Sequence, residues 1–102
     1  MPPQVLVVDD QPLNIEVIRA MLANKGFSID YAVSEKHALK KIKKRMKLHM
    51  TEKVSMYQLI MLDYSMPEVD GPVFAQTIRS IYKEDPKLRE LEAPLICCCT
   101  AY

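Results

Sequence analysis

Four short apolar runs, separated by stretches with helical periodicity, constrain the fold of this chain more than any other feature of its sequence. The strands predicted from these runs are Gln4–Val8, Ser28–Ala32, Tyr57–Leu62 and Pro94–Cys99. The first of them, Gln4–Val8, lacks the alternation of a half-exposed strand, so it is typical of a strand buried on both faces. Helical segments between such strands act as crossover connections. The sequence therefore predicts the α/β fold class, with a doubly wound parallel sheet.

Helix start and stop signals mark three helices between the strands. The first begins near Pro12, which suits the first turn of a helix, and ends at Gly26. Its predicted apolar face consists of Ile15, Ile18, Met21 and Leu22. Ser34 is the predicted N-cap of the second helix, and residues 48–56, which show no clear period, form a predicted connection. Pro72 opens the third helix.

The composition indicates one globular domain that spans residues 1–102. Hydrophobic residues make up 49% of the chain and charged residues 26%, which excludes a disordered class. The formal net charge of +1 argues against a nucleic-acid or membrane partner attracted by bulk charge. No segment resembles a signal peptide, and no apolar run approaches the roughly 20 residues of a membrane-spanning helix. We therefore expect a cytoplasmic domain.

The three cysteines, Cys97, Cys98 and Cys99, are consecutive and lie in the fourth predicted strand. Neighbouring side chains of a strand point to opposite faces, so these thiols do not converge on a metal ion or form a disulfide framework. We interpret them as small buried hydrophobic residues in a reducing compartment.

The basic stretch at residues 40–47 carries apolar residues at helical spacing with charges between them. This pattern is typical of the solvated face of an amphipathic helix. We therefore predict no nucleic-acid contact by this segment.

Acidic residues follow two of the predicted strands at the point where each strand ends. Asp9 and Asp10 come directly after the first strand, Asp63 follows the third, and Thr100 follows the fourth. Because the carboxyl ends of parallel strands meet at one edge of the sheet, we expect these side chains to lie together. Two unit charges about 4 Å apart repel by about 1 kcal/mol in water and about 4 kcal/mol at an effective dielectric constant near 20, so such a cluster needs a cation. An oxygen-only set of ligands favours Mg²⁺.

Three segments resemble the signatures of response-regulator receiver domains, in the order that this family shows. They are Val7–Pro12, Leu62–Gly71 and Cys99–Ala101. The middle segment is the most specific, because an aspartate with Met-Pro-x-x-Asp-Gly shortly after it rarely arises by chance. The resemblance spans essentially the whole chain and implies a flavodoxin-like three-layer sandwich. It also implies a phosphoacceptor module of a two-component phosphorelay.

The resemblance implies a magnesium site built by four residues. Asp10 and Asp63 would bind Mg²⁺ directly, and the backbone carbonyl of Ser65 would be a further ligand. Asp9 would act chiefly through water bound to the ion.

The resemblance also implies how the phosphoryl group is received. Asp63 would be the phosphoacceptor, Thr100 would place its hydroxyl on a phosphoryl oxygen, and the backbone amide of Ala101 would donate to the phosphate. The implied donor is a phosphohistidine on a sensor kinase, a hybrid histidine kinase or a histidine phosphotransfer domain. A carboxylate can attack phosphorus in line, and positioning with cationic stabilisation supplies most of the catalysis. No stand-alone turnover is expected.

Three residues of the middle segment have structural roles in this interpretation. Pro67 would stiffen the loop after Asp63, and Gly71 would allow the turn into the third helix. Asp70 would cap that helix.

The chain departs from the receiver pattern at its carboxyl end. Receivers carry a fifth strand that opens with a lysine, whereas this sequence ends at Tyr102, shortly after the fourth predicted strand. We therefore expect an incomplete receiver domain that lacks the fifth strand and the final helices. An apolar fourth strand at the sheet edge would make such a chain marginally stable or prone to aggregation.

Two other functions are compatible with the sequence. A pseudo-receiver would use the same fold as a phosphate-independent protein-interaction module, and the missing lysine favours it. A Mg²⁺-dependent phosphohydrolase of the haloacid-dehalogenase type also uses an aspartate at a strand end. That family requires Asp-x-Asp after the first strand, and Gln11 occupies the second required place.

Overall fold

The computed structural model of this protein describes residues 4–52, 54–63, 70–84 and 94–99. The strands and helices of these residues alternate along the chain. In order, they are β1 (Val5–Val8), α1 (Pro12–Ala23), β2 (Ile29–Ala32), α2 (Glu35–Glu52), β3 (Leu59–Asp63), α3 (Gly71–Glu84) and β4 (Leu95–Cys99). The described sheet has the strand order β2-β1-β3-β4. This arrangement confirms the predicted doubly wound α/β fold of the flavodoxin type.

Every described strand pair is parallel. Val5 of β1 pairs with Ile29 of β2 and with Leu59 of β3, and Leu59 in turn pairs with Leu95 of β4. All four residues of β1 are buried, as a strand with neighbours on both sides and helices on both faces requires. Because the strands run in the same direction, their carboxyl ends lie at one edge of the sheet.

Two apolar cores cover the two faces of the sheet. The smaller core lies under α1 and consists of Val5, Val7 and Ile15, with Ile18, Leu22, Ile29, Leu59 and Met61 packed against them. The larger core lies under α2 and α3, and its most enclosed side chains are Leu6, Val8, Ile42, Ile60, Leu62, Phe74 and Ile78. The alternation of side chains along β1 and β3 therefore supplies both cores from the same strands.

Local sequence signals set the helix ends as predicted. Gly26 adopts a φ of +86°, and the Phe27 amide donates to the Leu22 carbonyl at 3.0 Å, which is a Schellman arrangement after α1. Ser34 Oγ accepts a hydrogen bond from the His37 amide at 3.1 Å and so caps α2. The predictions made from the glycine and the serine are both confirmed.

The predicted connection at residues 48–56 is wrong over its first part, because α2 continues to Glu52. Met46 and Met50, four positions apart, both pack against the larger core. The buried stripe of α2 therefore extends into a stretch whose overall pattern is aperiodic. β3 begins at Leu59, two residues later than predicted.

Two side chains lie on a different side of their helix from the predicted one. Met21 belongs to the predicted apolar face of α1, but it is 60% exposed, because the buried stripe of this helix is narrower than its apolar pattern. Arg45 belongs to the predicted solvated face of α2, but it is only 5% exposed. Arg45 follows the buried residues Ala38 and Ile42 at helical spacing, so its position on the helix, and not its charge, decides its burial.

The prediction that the cysteines are buried is wrong for Cys97, which is exposed. Cys97 pairs with Met61 of β3 and lies on the α1 side of the sheet, where α1 packs over β1 and its neighbours. No helix of the described ranges covers β4 on that side. The side chains of Cys98 and Cys99 lie outside the described part of the structure.

The longest helix of the described ranges is α2, with 18 residues. Seven of these residues are Lys or Arg, which is incompatible with an apolar environment. Within the described ranges, no helix combines the length and the apolar character needed to cross a membrane.

Candidate functional site

Three carboxylates meet at the carboxyl edge of the sheet. Asp9 and Asp10 follow β1 directly, and Asp63 is the last residue of β3, the strand beside β1. Each contributes an oxygen atom to a group in which all atoms lie within 4.8 Å of one another. Asp9 is 4% exposed, Asp63 is 9% exposed, and Asp10 is open to solvent. The structure thus brings together the three acidic residues that the sequence predicts at a metal site.

Backbone and side-chain hydrogen bonds fix Asp9 in the cluster. Its amide donates to the Ala32 carbonyl of β2 at 3.0 Å, and its Oδ1 accepts from the Gln11 amide at 2.8 Å. Asn14, in the first turn of α1, acts on the Asp9 carboxylate as a nearby hydrogen-bond donor that lowers its pKa. The cluster therefore has a rigid, enclosed side at Asp9 and an open side at Asp10.

Burial raises the pKa of Asp9 above its ordinary value. The neighbouring Asp63 raises this pKa further, through its charge and through a hydrogen bond between the two side chains. The Gln11 amide and the Asn14 side chain lower this pKa but do not reverse the shift. A cation beside the cluster would favour the charged form of these carboxylates.

The ligand set fits Mg²⁺. The cluster consists of carboxylate oxygens and contains no histidine or cysteine from the described residues, so it lacks the nitrogen and sulfur ligands that zinc prefers. Mg²⁺ binds oxygen at about 2.1 Å in octahedral geometry and usually keeps several waters, so opposite ligands are about 4.2 Å apart. Oxygen atoms within 4.8 Å of one another therefore need only small side-chain adjustments to share one ion.

Asp70 caps α3 at the same edge of the sheet, as predicted. Its Oδ1 accepts from the Val73 amide at 3.1 Å, and its carbonyl accepts from the Phe74 amide at 2.9 Å. Gly71 is the first residue of α3 and is buried. These contacts support a structural role for Asp70 at the start of α3.

Several predicted site residues lie outside the described residues. They are the proposed metal ligand Ser65, the proposed phosphate contacts Thr100 and Ala101, and Pro67 of the loop after β3. Their roles stay predictions.

Asn14 is a site residue that the sequence reasoning missed. It lies five positions after Asp9, and its side chain lowers the pKa of the Asp9 carboxylate. The sequence signal for Asn14 was its position, a polar residue in the first turn of a helix that follows an acidic strand end. This signal is not specific, because many helices carry such a residue without a functional site nearby.

Comparison with known families identifies the class of protein. The family described as response regulator receiver domain matches residues 5–89, which is most of the chain. The chain therefore belongs to the response regulator receiver domain family, the receiver class of two-component and phosphorelay signalling.

Two solved structures share the fold. The response regulator TrrA from Thermotoga maritima, crystallised in complex with Mg²⁺ and beryllium fluoride, is 31% identical with a TM-score of 0.69, over 99% of this chain and 71% of that chain. The receiver domain of the histidine kinase CKI1 from Arabidopsis thaliana, complexed with Mg²⁺ and BeF₃⁻, is 25% identical with a TM-score of 0.77, over 96% and 65% of the two chains.

A curated relative carries the similar sequence inside a much longer protein. The osmosensing histidine protein kinase SLN1 of Saccharomyces cerevisiae is 36% identical over 77 residues, which are 74% of this chain and 6% of the kinase. The chain therefore spans a small fraction of the length of this relative.

Proposed function

We propose that this receiver domain accepts a phosphoryl group on Asp63 from a phosphohistidine donor, with Mg²⁺ as cofactor. The observation that carries the proposal is the convergence of Asp63 with Asp9 and Asp10 at the carboxyl edge of the parallel sheet. The Mg²⁺ and beryllium fluoride complexes of the related TrrA and CKI1 receivers support the same assignment. Family membership supports the signalling class, and the carboxylate geometry supports the chemistry.

The residues that would hold Mg²⁺ are Asp10 and Asp63 as direct ligands, the Ser65 carbonyl as a third, and Asp9 through water. When bound, the ion would neutralise charge on the oxygens of the transferred phosphoryl group. Asp9, with its hydrogen bond from the Gln11 amide, would keep the enclosed side of the site in place.

Asp63 would act as the nucleophile. One carboxylate oxygen forms a bond to phosphorus as the phosphorus–nitrogen bond of the phosphohistidine breaks, and the electron pair of that bond returns to the imidazole. The Thr100 hydroxyl and the Ala101 amide would contact the phosphoryl oxygens. The product is an acyl phosphate on Asp63.

The donor must bring its histidine to Asp63, and α1 offers a surface for such a partner. Leu13, Val17 and Met21 recur every four residues along α1 and are 75%, 52% and 60% exposed. This apolar stripe begins three positions after Asp10, so a docked protein would reach the open side of the carboxylate cluster. We assign the stripe to a histidine kinase or a histidine phosphotransfer domain, because the chemistry requires a phosphohistidine at that edge.

The test is phosphorylation by acetyl phosphate with Mg²⁺, measured by intact mass. We expect one phosphate adduct on the wild-type chain, its loss on treatment with hydroxylamine, and no adduct on Asp63→Asn. Asp70→Asn is the matched control, because asparagine is also a good helix cap, and it should be labelled like the wild type.

Two outcomes would contradict the proposal. An adduct of equal yield on Asp63→Asn would show that another residue accepts the phosphoryl group. No adduct on the wild type would favour the pseudo-receiver, in which the same fold acts as a phosphate-independent docking module.

A further inference from the structure

A half-open cavity of about 380 Å³ lies at the opposite end of the sheet from the carboxylate cluster. Its lining residues come from α2, from the start of β2 and from the segment before β3. They are Asp30, Lys41, Lys44, Arg45, Leu48, Val54 and Tyr57. Asp30 pairs with Leu6 in the sheet, whereas Asp9 lies three positions beyond Leu6, about 10 Å along the strand direction. The cavity is therefore separate from the proposed phosphoacceptor site.

Asp30 is the acidic residue among the cavity's lining residues, and both of its oxygen atoms are already engaged. Oδ1 accepts hydrogen bonds from Lys41 Nζ and from the Tyr31 amide, the latter at 2.9 Å. Oδ2 accepts from the Tyr57 hydroxyl at 2.7 Å. Asp30 and Lys41 therefore neutralise each other, and Asp30 does not pair with the other two cations of the lining.

Arg45 supplies a buried positive charge to this cavity. It is 5% exposed, its guanidinium lies 4.1 Å from the centre of the Tyr57 ring, and one of its NH groups donates to the Ser55 carbonyl at 2.8 Å. Within the described ranges, neither Arg45 nor Lys44 forms an ion pair with a carboxylate. Because a buried charge without a counter-charge is costly, the cavity favours an anion.

The charge of the whole helix strengthens this preference. α2 holds seven of the 14 basic residues of the chain and two of the 13 acidic ones, so its formal charge is +5 and that of the remaining chain is −4. The small net charge of the protein therefore results from a strongly positive helix and a negatively charged remainder. Its field concentrates anions near the cavity.

The remaining walls of the cavity are apolar. Leu48 and Val54 contribute aliphatic side chains, and Tyr57 contributes its ring. Cavities of a few hundred cubic ångströms with apolar walls and a few polar groups are typical of small-molecule sites. A ligand with a charged head and an apolar body would satisfy both parts of this lining.

We propose that this cavity binds a small organic oxyanion whose phosphate or carboxylate head lies between Lys44 and Arg45 and whose apolar body contacts Leu48 and Val54. Both heads accept several hydrogen bonds from Arg and Lys. The site is distinct from the phosphoacceptor and does not depend on it.

The test is to titrate the full chain, without Mg²⁺, with four probes. Binding is measured by calorimetry and by NMR of the backbone amides. Phenyl phosphate and benzoate carry the two heads on the same ring, inorganic phosphate lacks the apolar body, and benzyl alcohol lacks the charge. We expect saturable binding of phenyl phosphate or benzoate, with amide shifts at Val54 and Tyr57, and weaker binding of the other two probes. If phenyl phosphate binds more tightly than benzoate, the head is a phosphate; if benzoate binds more tightly, it is a carboxylate.

Lys44→Gln should weaken this binding about tenfold, because it removes one charged hydrogen bond. Lys44 is exposed, so the substitution leaves the core unchanged. Lys43→Gln is the matched control, since Lys43 is an exposed lysine of the same helix outside the cavity lining, and it should bind like the wild type. Asp63→Asn should also bind like the wild type.

Three results would overturn the proposal. Equal weakening in Lys43→Gln and Lys44→Gln would reveal diffuse attraction to the helix and no defined site. Loss of binding in Asp63→Asn would show that the anion binds at the carboxylate edge of the sheet and not in the cavity. Equal affinity for inorganic phosphate and phenyl phosphate would show that an apolar body contributes nothing to binding.

Discussion

Asp9 is buried and Asp30 is half-buried, and their surroundings shift their pKa values in opposite directions. At Asp9, burial raises the pKa and the neighbouring carboxylate adds to the rise. At Asp30, burial also acts to raise the pKa, but hydrogen bonds from Lys41, Tyr57 and a backbone amide outweigh it and the pKa is lowered. Asp30 thus has a cation, Lys41, within the fold, whereas the charge that acts on Asp9 is that of a second carboxylate, Asp63.

Asp30→Asn should destabilise the protein by about 1–2 kcal/mol at neutral pH, because the hydrogen bonds from Lys41 and Tyr57 lose their charged acceptor. Since the folded-state pKa lies below the ordinary value of 3.8, the stabilisation is fully present above that value and is lost as the pH falls through the lower, folded-state pKa. Urea unfolding of both proteins over a pH series should therefore show a gap in the free energy of unfolding that narrows below about pH 4.

The control for this series is Glu16→Gln. Glu16 pairs with Arg19 at 3.5 Å on the surface of α1, and its side chain is 64% exposed. Exposed pairs contribute little, so the stability of this variant should stay within about 0.5 kcal/mol of the wild type. If Asp30→Asn followed Glu16→Gln across the whole pH series, the network at Asp30 would have no role in stability.

At the scale of the elements, α1 has two apolar sides, one packed on the sheet and the other exposed to solvent. Ile15, Ile18 and Leu22 pack on the sheet, whereas Leu13 and Val17 face solvent. The second, exposed stripe is the docking surface that we propose for the phosphohistidine donor. This helix begins shortly after Asp9 and Asp10, so the exposed stripe starts close to the carboxylate cluster.

Val17→Lys should slow phosphoryl transfer from a phosphorylated histidine phosphotransfer protein by about tenfold, because it places a charge in an apolar contact. Labelling by acetyl phosphate should be unchanged, since a small donor needs no docking surface. Both rates can be measured by intact mass against time. Val17 is 52% exposed, so the stability should change by no more than about 0.5 kcal/mol.

Ala23→Lys provides the comparison for that experiment. Ala23 is exposed near the far end of the same helix and lies outside the stripe. This variant should accept the phosphoryl group from either donor at the wild-type rate. Equal slowing by the two lysine substitutions would indicate a general charge effect and would contradict docking on the stripe.

At the scale of the whole molecule, the parallel sheet separates two charged regions. The carboxylates lie at the carboxyl ends of β1 and β3, and the positive cavity lies towards the opposite end, beside α2. Residues far apart in the chain form each region, so neither exists in the unfolded protein. A ligand specific for either region therefore stabilises the fold.

Mg²⁺ should raise the melting temperature of the wild-type chain, and EDTA should reverse the effect. A concentration ten times the dissociation constant would add about 1.4 kcal/mol, or roughly 5–10 °C for a domain of this size. Asp10→Asn should abolish most of this increase, whereas Glu16→Gln should keep it. Differential scanning calorimetry is the measurement, and an undiminished increase in Asp10→Asn would place the ion elsewhere.

Much of the fold and the centre of the site were predictable from short stretches of sequence. The apolar runs, Gly26 and Ser34 act locally, so the strands and the helix ends follow from their neighbours. Convergence of Asp9 and Asp63 was predictable because parallel strands must end at the same edge. The length of α2 was not predictable, since only the packing of Met50 against the core shows that the helix continues.

The sequence by itself determined the order of strands and helices, the direction of the sheet and the edge that carries the carboxylates, because each depends on local patterns and on the rules of chain connection. Tertiary structure alone decided that Arg45 is buried against Tyr57, that Met21 is exposed and that a cavity opens beside α2. These features depend on which side of a helix meets the sheet and how closely. Contacts between residues distant in the chain determine that fit, and a local pattern does not record them.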